Sequence, residues 1–76
     1  MMRFFFDYTT KGRSLFDYRG DEFGSPQAAI DFAEAIAEDL MNKLSDDWIG
    51  WSIEVRNAEG MKFRSLMVGG PELRAA

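Results

Sequence analysis

Apolar and polar side chains alternate from the first residues of the chain. Phe4, Phe6 and Tyr8 fall on one side of an extended run, and Arg3, Phe5, Asp7 and Thr9 on the other. That period of two marks a strand with one covered face. Thr10-Lys11-Gly12-Arg13 is polar and carries a glycine, so it predicts a hairpin turn. Ser14 to Tyr18 is the returning strand, and Gly20-Asp21-Glu22-Phe23-Gly24 breaks the regularity. Ser25 then offers an N-cap hydroxyl, and Pro26 fits the first helical position, where its missing N–H has no intrahelical partner to lose. From there to about Leu44 the period changes to 3.6. Ala29, Ala33, Ile36, Ala37, Leu40 and Leu44 share one stripe, with Phe32 on its shoulder. The alanines in that stripe allow the helix axis to lie close to a sheet.

Beyond Ser45-Asp46-Asp47, Trp51, Ile53 and Val55 alternate with Ser52, Glu54 and Arg56, the pattern of a half-buried strand. Asn57-Ala58-Glu59-Gly60 turns the chain, and Met61 to Val68 forms the last strand, in which Phe63 alternates with Lys62 and Arg64. The expected fold is α+β, with element order ββαββ: an antiparallel four-stranded sheet with one helix packed on one face. Residues 1–70 form a single domain, and residues 71–76 are expected to fray. The pattern leaves the strand order open, because the crossover between hairpins allows more than one arrangement.

Arg3-Phe4-Phe5-Phe6-Asp7, then Asp17-Tyr18-Arg19-Gly20-Asp21-Glu22-Phe23, Ala28-Ala29, Gly50-Trp51-Ser52-Ile53-Glu54-Val55 and the closing Gly60 occur in that order. The set resembles a bacterial family of small ββαββ domains of unknown function. Its members open with an Arg-aromatic-aromatic-Phe strand. They continue with Asp-x-x-Gly before the helix and a Trp-x-Ile-x-Val strand after it. The resemblance runs from Arg3 to about Val68. The family often places a histidine where this chain has Asp7, so a role resting on that histidine does not carry over. The resemblance supports the topology and implies no chemistry.

Composition narrows the field by exclusion. The chain has no cysteine and no histidine, which removes disulfides, thiol nucleophiles, imidazole bases and Cys/His zinc sites. A net charge of −4 argues against a general polyanion binder. Met1-Met2-Arg3 is followed by only three phenylalanines before Asp7, short of the about 7–15 apolar residues of a signal segment. The cytoplasm is the expected compartment.

Each candidate site has a plainer explanation beside it. Asp17, Asp21 and Glu22 could offer oxygens to a hard cation, but their spacing is not that of a calcium loop. Turn chemistry accounts for them: Asp17 holds a turn through nearby backbone N–H groups, Gly20 supplies a positive φ, and Asp21 and Glu22 face water. Asp46 and Asp47 follow the helix without the cleft that a catalytic carboxylate pair needs. The glycines lack the Lys-Ser/Thr of a phosphate loop. No catalytic, cofactor or metal-binding residue is therefore expected, and the chain reads as a non-enzyme.

Two binding surfaces are left. Arg3, Arg56, Lys62 and Arg64 would make a nucleic-acid face if they shared a sheet surface with the aromatic Phe5. Phe5, Leu66 and Val68 are expected on the sheet face away from the helix. Together with Trp48 and Ile49 in a loop, they would leave an apolar surface available for contact. The leading expectation is a protein-interaction or homo-oligomerisation module, partnered by a second copy or by another protein. A weak nucleic-acid-binding regulator is the alternative, and neither a membrane nor a metal partner is expected.

Overall fold

A computed structural model of the chain describes residues 1–42 and 47–69. Among these, the elements are β1 (Met2–Thr10), β2 (Arg13–Leu15), β3 (Asp21–Phe23), α1 (Pro26–Met41), β4 (Ser52–Asn57) and β5 (Lys62–Met67). The expected Leu44 of the helical stripe and the fraying of residues 71–76 lie outside the described residues. All strand pairs are antiparallel. The sheet order is β2-β1-β4-β5, with β3 also paired to β1. The α+β class and the single helix agree with the pattern, but the sheet has five strands, not four.

The extra strand comes from an interruption in the first hairpin. β2 pairs with the end of β1 (Tyr8 opposite Leu15, Thr10 opposite Arg13), and β3 pairs with its beginning (Met2 opposite Phe23, Phe4 opposite Asp21). The expected strand Ser14–Tyr18 therefore stops at Leu15, and Asp21–Phe23, expected to be irregular, is strand. Both short strands lie along the same edge of β1.

α1 starts where the sequence predicts. Ser25 Oγ accepts the Ala28 N–H at 3.2 Å, and Pro26 fills the first turn. Ala29 and Ala33 are fully buried, so the helix approaches the sheet closely. Phe4 and Phe6 from β1, and Trp51, Ile53 and Val55 at β4, meet it in the core. Phe4 stacks edge-on to Phe63 at 5.5 Å, and Phe6 to Phe32 at 5.3 Å, contacts worth about 0.5–1.5 kcal/mol each beyond burial.

β5 departs from simple alternation. Val55 stands opposite Arg64, but Arg56 stands opposite Lys62, so Phe63 is an extra residue in a β-bulge. One inserted residue exchanges the two faces of the strand beyond it. Leu66 and Val68, expected on the open face with Lys62, thus turn to the helix side. Val68 is completely buried, and Leu66 packs on the same core. The register that places Val68 in the core is closed by its N–H donating to the Trp51 carbonyl at 2.8 Å.

Candidate functional site

Between the two short strands, three residues of β1 (Phe5, Phe6, Asp7) face five of the opposing chain, Phe16 to Gly20. Main-chain pairing cannot span this mismatch, and side chains replace it. Asp17 Oδ2 accepts the Phe6 N–H at 3.1 Å, taking the place of a carbonyl of the missing strand. Its Oδ1 accepts the N–H groups of Arg19 and Gly20, both at 3.0 Å. The Asp17 N–H donates to Asp7 Oδ1 at 2.9 Å. Asp17 thus ties the bulged segment to β1 from both its backbone and its side chain.

Arg56 completes the clamp from β4. Its Nε donates to Asp7 Oδ2 at 2.6 Å, and its Nη2 donates to Asp7 Oδ1 at 3.2 Å and to the Asp17 carbonyl at 2.9 Å. The guanidinium lies 4.6 Å from the centre of the Phe5 ring. Asp7 is only 1% exposed, and a buried carboxylate is tolerable when a charge and several donors satisfy it. Gly20 covers the same ring: its φ is +72°, and a Cβ there would come within 2.8 Å of the Phe4 carbonyl oxygen. Burial pulls the Asp17 carboxyl upward, but the N–H bonds from Gly20, Phe6 and Arg19 and the Arg56 charge outweigh it. Its pKa settles below the ordinary value.

The clamp fixes what the bulge displays. Phe16 is 53% exposed and Tyr18 87%, with ring centres 6.4 Å apart. Beside them a groove of about 480 Å³ runs between the hairpin and the helix. Phe6 and Tyr8 line it from β1, Phe32 and Ile36 from α1, and Leu15 and Phe16 from the hairpin. Trp48 closes one end, packed on Tyr8 at 5.8 Å and on Trp51 at 5.2 Å. Burial first, and the Asp17 charge second, raise the Tyr8 phenol above its ordinary pKa. The surface is aromatic, half enclosed and held from behind by a polar network.

The residues singled out from sequence are dispersed. Trp48 belongs to the groove. Ile49, exposed in the same turn, borders Gly69 beside Met41. Phe5 lies on the open face but beneath Arg56 and Gly20, while Leu66 and Val68 are on the helix side. Arg3 is paired with Glu22 at 2.9 Å and donates to the Arg19 carbonyl at 2.8 Å. Arg56 is bound to Asp7, and the β5 bulge puts Arg64 opposite Val55, away from the face that Lys62 shares with Arg56. The four cations therefore do not form one platform. Phe16, Tyr18 and Phe32 carry no site signal in the sequence, because by pattern they occupy ordinary strand and helix positions. The detectable signal was an aspartate and a glycine three apart inside an otherwise extended aromatic stretch.

A single helix over an antiparallel sheet, with a clamped aromatic bulge on its edge, defines a small two-layer α+β domain. A family model described as a domain of unknown function, DUF6894, matches residues 3–68, and the chain belongs to that family. Comparison with curated proteins and with solved structures finds no match.

Proposed function

We propose that the chain is a non-catalytic protein-interaction module whose contact surface is the bulge and the groove beside it. The observation that carries this reading is the Asp17–Asp7–Arg56 clamp, which holds Phe16 and Tyr18 out in water. Exposed aromatics beside a concave apolar surface are the typical anchors of protein interfaces. Fixing them before contact lowers the ordering entropy that binding must overcome. The open sheet face supports contact less well. By register it carries Arg3, Asp7, Glu54, Arg56 and Lys62, with Phe5 and Met67 as its large apolar side chains.

The test is capture of partners from the host by the tagged chain, compared with a Phe16→Ser/Tyr18→Ser variant and a Lys62→Ala control. Both changed side chains of the first variant are solvent-facing, so its thermal midpoint should stay near the wild type. Proteins retained by the wild type and by Lys62→Ala, but lost from the bulge variant, are the expected result. Equal retention by all three would remove the bulge as the contact surface.

A further inference from the structure

Resting on that reading, we infer that the groove takes the apolar side of a basic amphipathic helix from another protein. Three observations lead there. First, main-chain recognition is blocked on this edge. The Phe6 N–H of β1 is already taken by Asp17, and the outer strand β2 spans only three residues before the bulge. An added β-strand would have almost no ladder to join, so recognition must run through side chains, as when a helix lies in a groove. Second, α1 lines the groove with Phe32 and Ile36, and its flank just outside Phe32 carries small side chains. Ala28, Phe32, Ala35 and Asp39 succeed one another along one line of the helix surface, by 3.6-residue spacing. Ala28 and Ala35 leave room on either side of the Phe32 ring for a second helix to approach closely.

The third observation is charge. Asp39 stands at one end of that helix flank, Asp31 lies next to Phe32, and Asp21 borders the groove from β3; all three are exposed. Lys11, Arg13 and Arg19 are the cations of the same hairpin, none of them lining the groove, and Arg13 lies over the Trp51 ring at 5.4 Å. The charged side chains that line the groove are Asp17 and Asp21, both from the strand side, and α1 beside it carries Asp31, Glu34, Glu38 and Asp39 with no lysine or arginine; the whole chain carries −4. A second copy would bring like charges against these rims, whereas lysines or arginines flanking an apolar stripe would meet opposite ones.

Two synthetic peptides of about 18 residues, long enough to be helical when bound, test the inference. One patterns leucine with lysine and the other leucine with glutamate. In amide NMR titrations of the intact chain, the lysine peptide should shift Leu15, Phe16, Asp21, Phe32 and the Trp48 indole. Its affinity should drop several-fold when salt is raised until the screening length is about 3 Å. Asp21→Lys/Asp39→Lys should weaken the lysine peptide roughly tenfold, at about fivefold or less per rim pair, and strengthen the glutamate peptide. Phe16→Ser/Tyr18→Ser should abolish both. If the glutamate peptide binds the unmodified groove equally well, the charge inference fails while the groove stands as a contact surface. A footprint centred on Glu34 and Glu38, or no binding of either peptide, also overturns it. So does a sedimentation mass of two chains that returns to one in the Phe16→Ser/Tyr18→Ser variant, which would make the occupant a second copy.

Discussion

Replacing Asp17 with alanine removes the acceptor for three backbone N–H groups at once, those of Phe6, Arg19 and Gly20. The three are not equal. Arg19 is exposed, and water can take over its N–H. Phe6 is 4% exposed and Gly20 is buried, so their donors lose a partner where water has poor access. An unsatisfied buried donor costs about 1–3 kcal/mol, which puts Asp17→Ala, with two of them, at roughly 2–6 kcal/mol. A domain of this size has a total stability of about 4–11 kcal/mol at ~0.05–0.15 kcal/mol per residue. At the lower end of that range the variant folds with a midpoint about 8–16 °C below the wild type, since each kcal/mol moves a domain of this length by about 4–8 °C; at the upper end most of the stability is gone.

Urea unfolding followed by tryptophan fluorescence measures this directly, because Trp51 is buried in the core. Asp17→Asn retains one carbonyl oxygen, enough for one side of the clamp, and should fall between the two. Asp21→Asn, a solvated neighbour, should stay within about 0.5 kcal/mol of the wild type. Amide exchange adds a local readout: the Phe6 N–H should lose protection in Asp17→Ala more than the Ile53 and Val55 amides do. A destabilisation below about 0.5 kcal/mol, with Phe6 still protected, would show that the bulge is held by something other than Asp17.

Arg56→Met keeps an apolar stem over Phe5 but strands Asp7 as a buried charge, and should cost about 3–5 kcal/mol. Adding Asp7→Asn should restore part of that loss, and additive effects in urea melts would deny the coupling. Gly20→Ala meets the Phe4 carbonyl oxygen and the Phe5 ring and must hold φ at +72°, whereas Gly12→Ala has similar backbone strain but open space around it. Strain alone is worth roughly 1–3 kcal/mol, so Gly20→Ala should be clearly the worse of the two by thermal melts. The lowered pKa of Asp17 fixes the direction of its pH effect. Its stabilisation is complete above the ordinary carboxyl value of 3.8 and is lost as the pH falls through the lower folded value. Acid titration should therefore destabilise the wild type more than Asp17→Asn, and parallel curves would contradict the assignment.

The elements that were legible in the sequence are those set by local periodicity. The Ser25-Pro26 start, the alanine stripe and the alternation of Phe4, Phe6 and of Ile53, Val55 all appear in the structure. What escaped depends on long-range register. Leu66 and Val68 were assigned by counting alternately from Phe63, and one inserted residue reversed the count. The turn held by Asp17 and the positive φ of Gly20 were legible and are found, but the second role of Asp17, standing in for a ladder carbonyl toward the Phe6 N–H, leaves no periodic trace. The Asp7–Arg56 pair requires β1 to lie beside β4, a neighbourhood that alternation alone does not specify. For the same reason Leu66 and Val68 move from the open face to the helix side, while Trp48 stays beside the groove. With the sheet order unknown, the apolar surplus was put on the open face, and the edge that displays Phe16 and Tyr18 was read as ordinary strand.

The motifs that carried the family resemblance divide into structural parts once the clamp is seen. Asp17 and Gly20 hold and close the bulge, Phe5 receives the Arg56 guanidinium, and Asp7 joins the two halves of the sheet. Trp51, Ile53 and Val55 fill the core. Asp7, Asp17, Gly20 and Phe5 keep the mismatched edge folded, and the other three pack beneath the helix. The side chains left uncommitted are the ones the clamp pushes outward. The first hairpin already closes through the two-residue Lys11-Gly12 loop, and unbroken pairing beyond it would have covered this edge without any buried charge. A buried aspartate–arginine pair adds little stability compared with an apolar replacement, so its use here is better explained by the shape it enforces. That shape is a clamped edge bearing two aromatic rings next to a groove, which is why the contact surface is proposed there and not on the open face of the sheet.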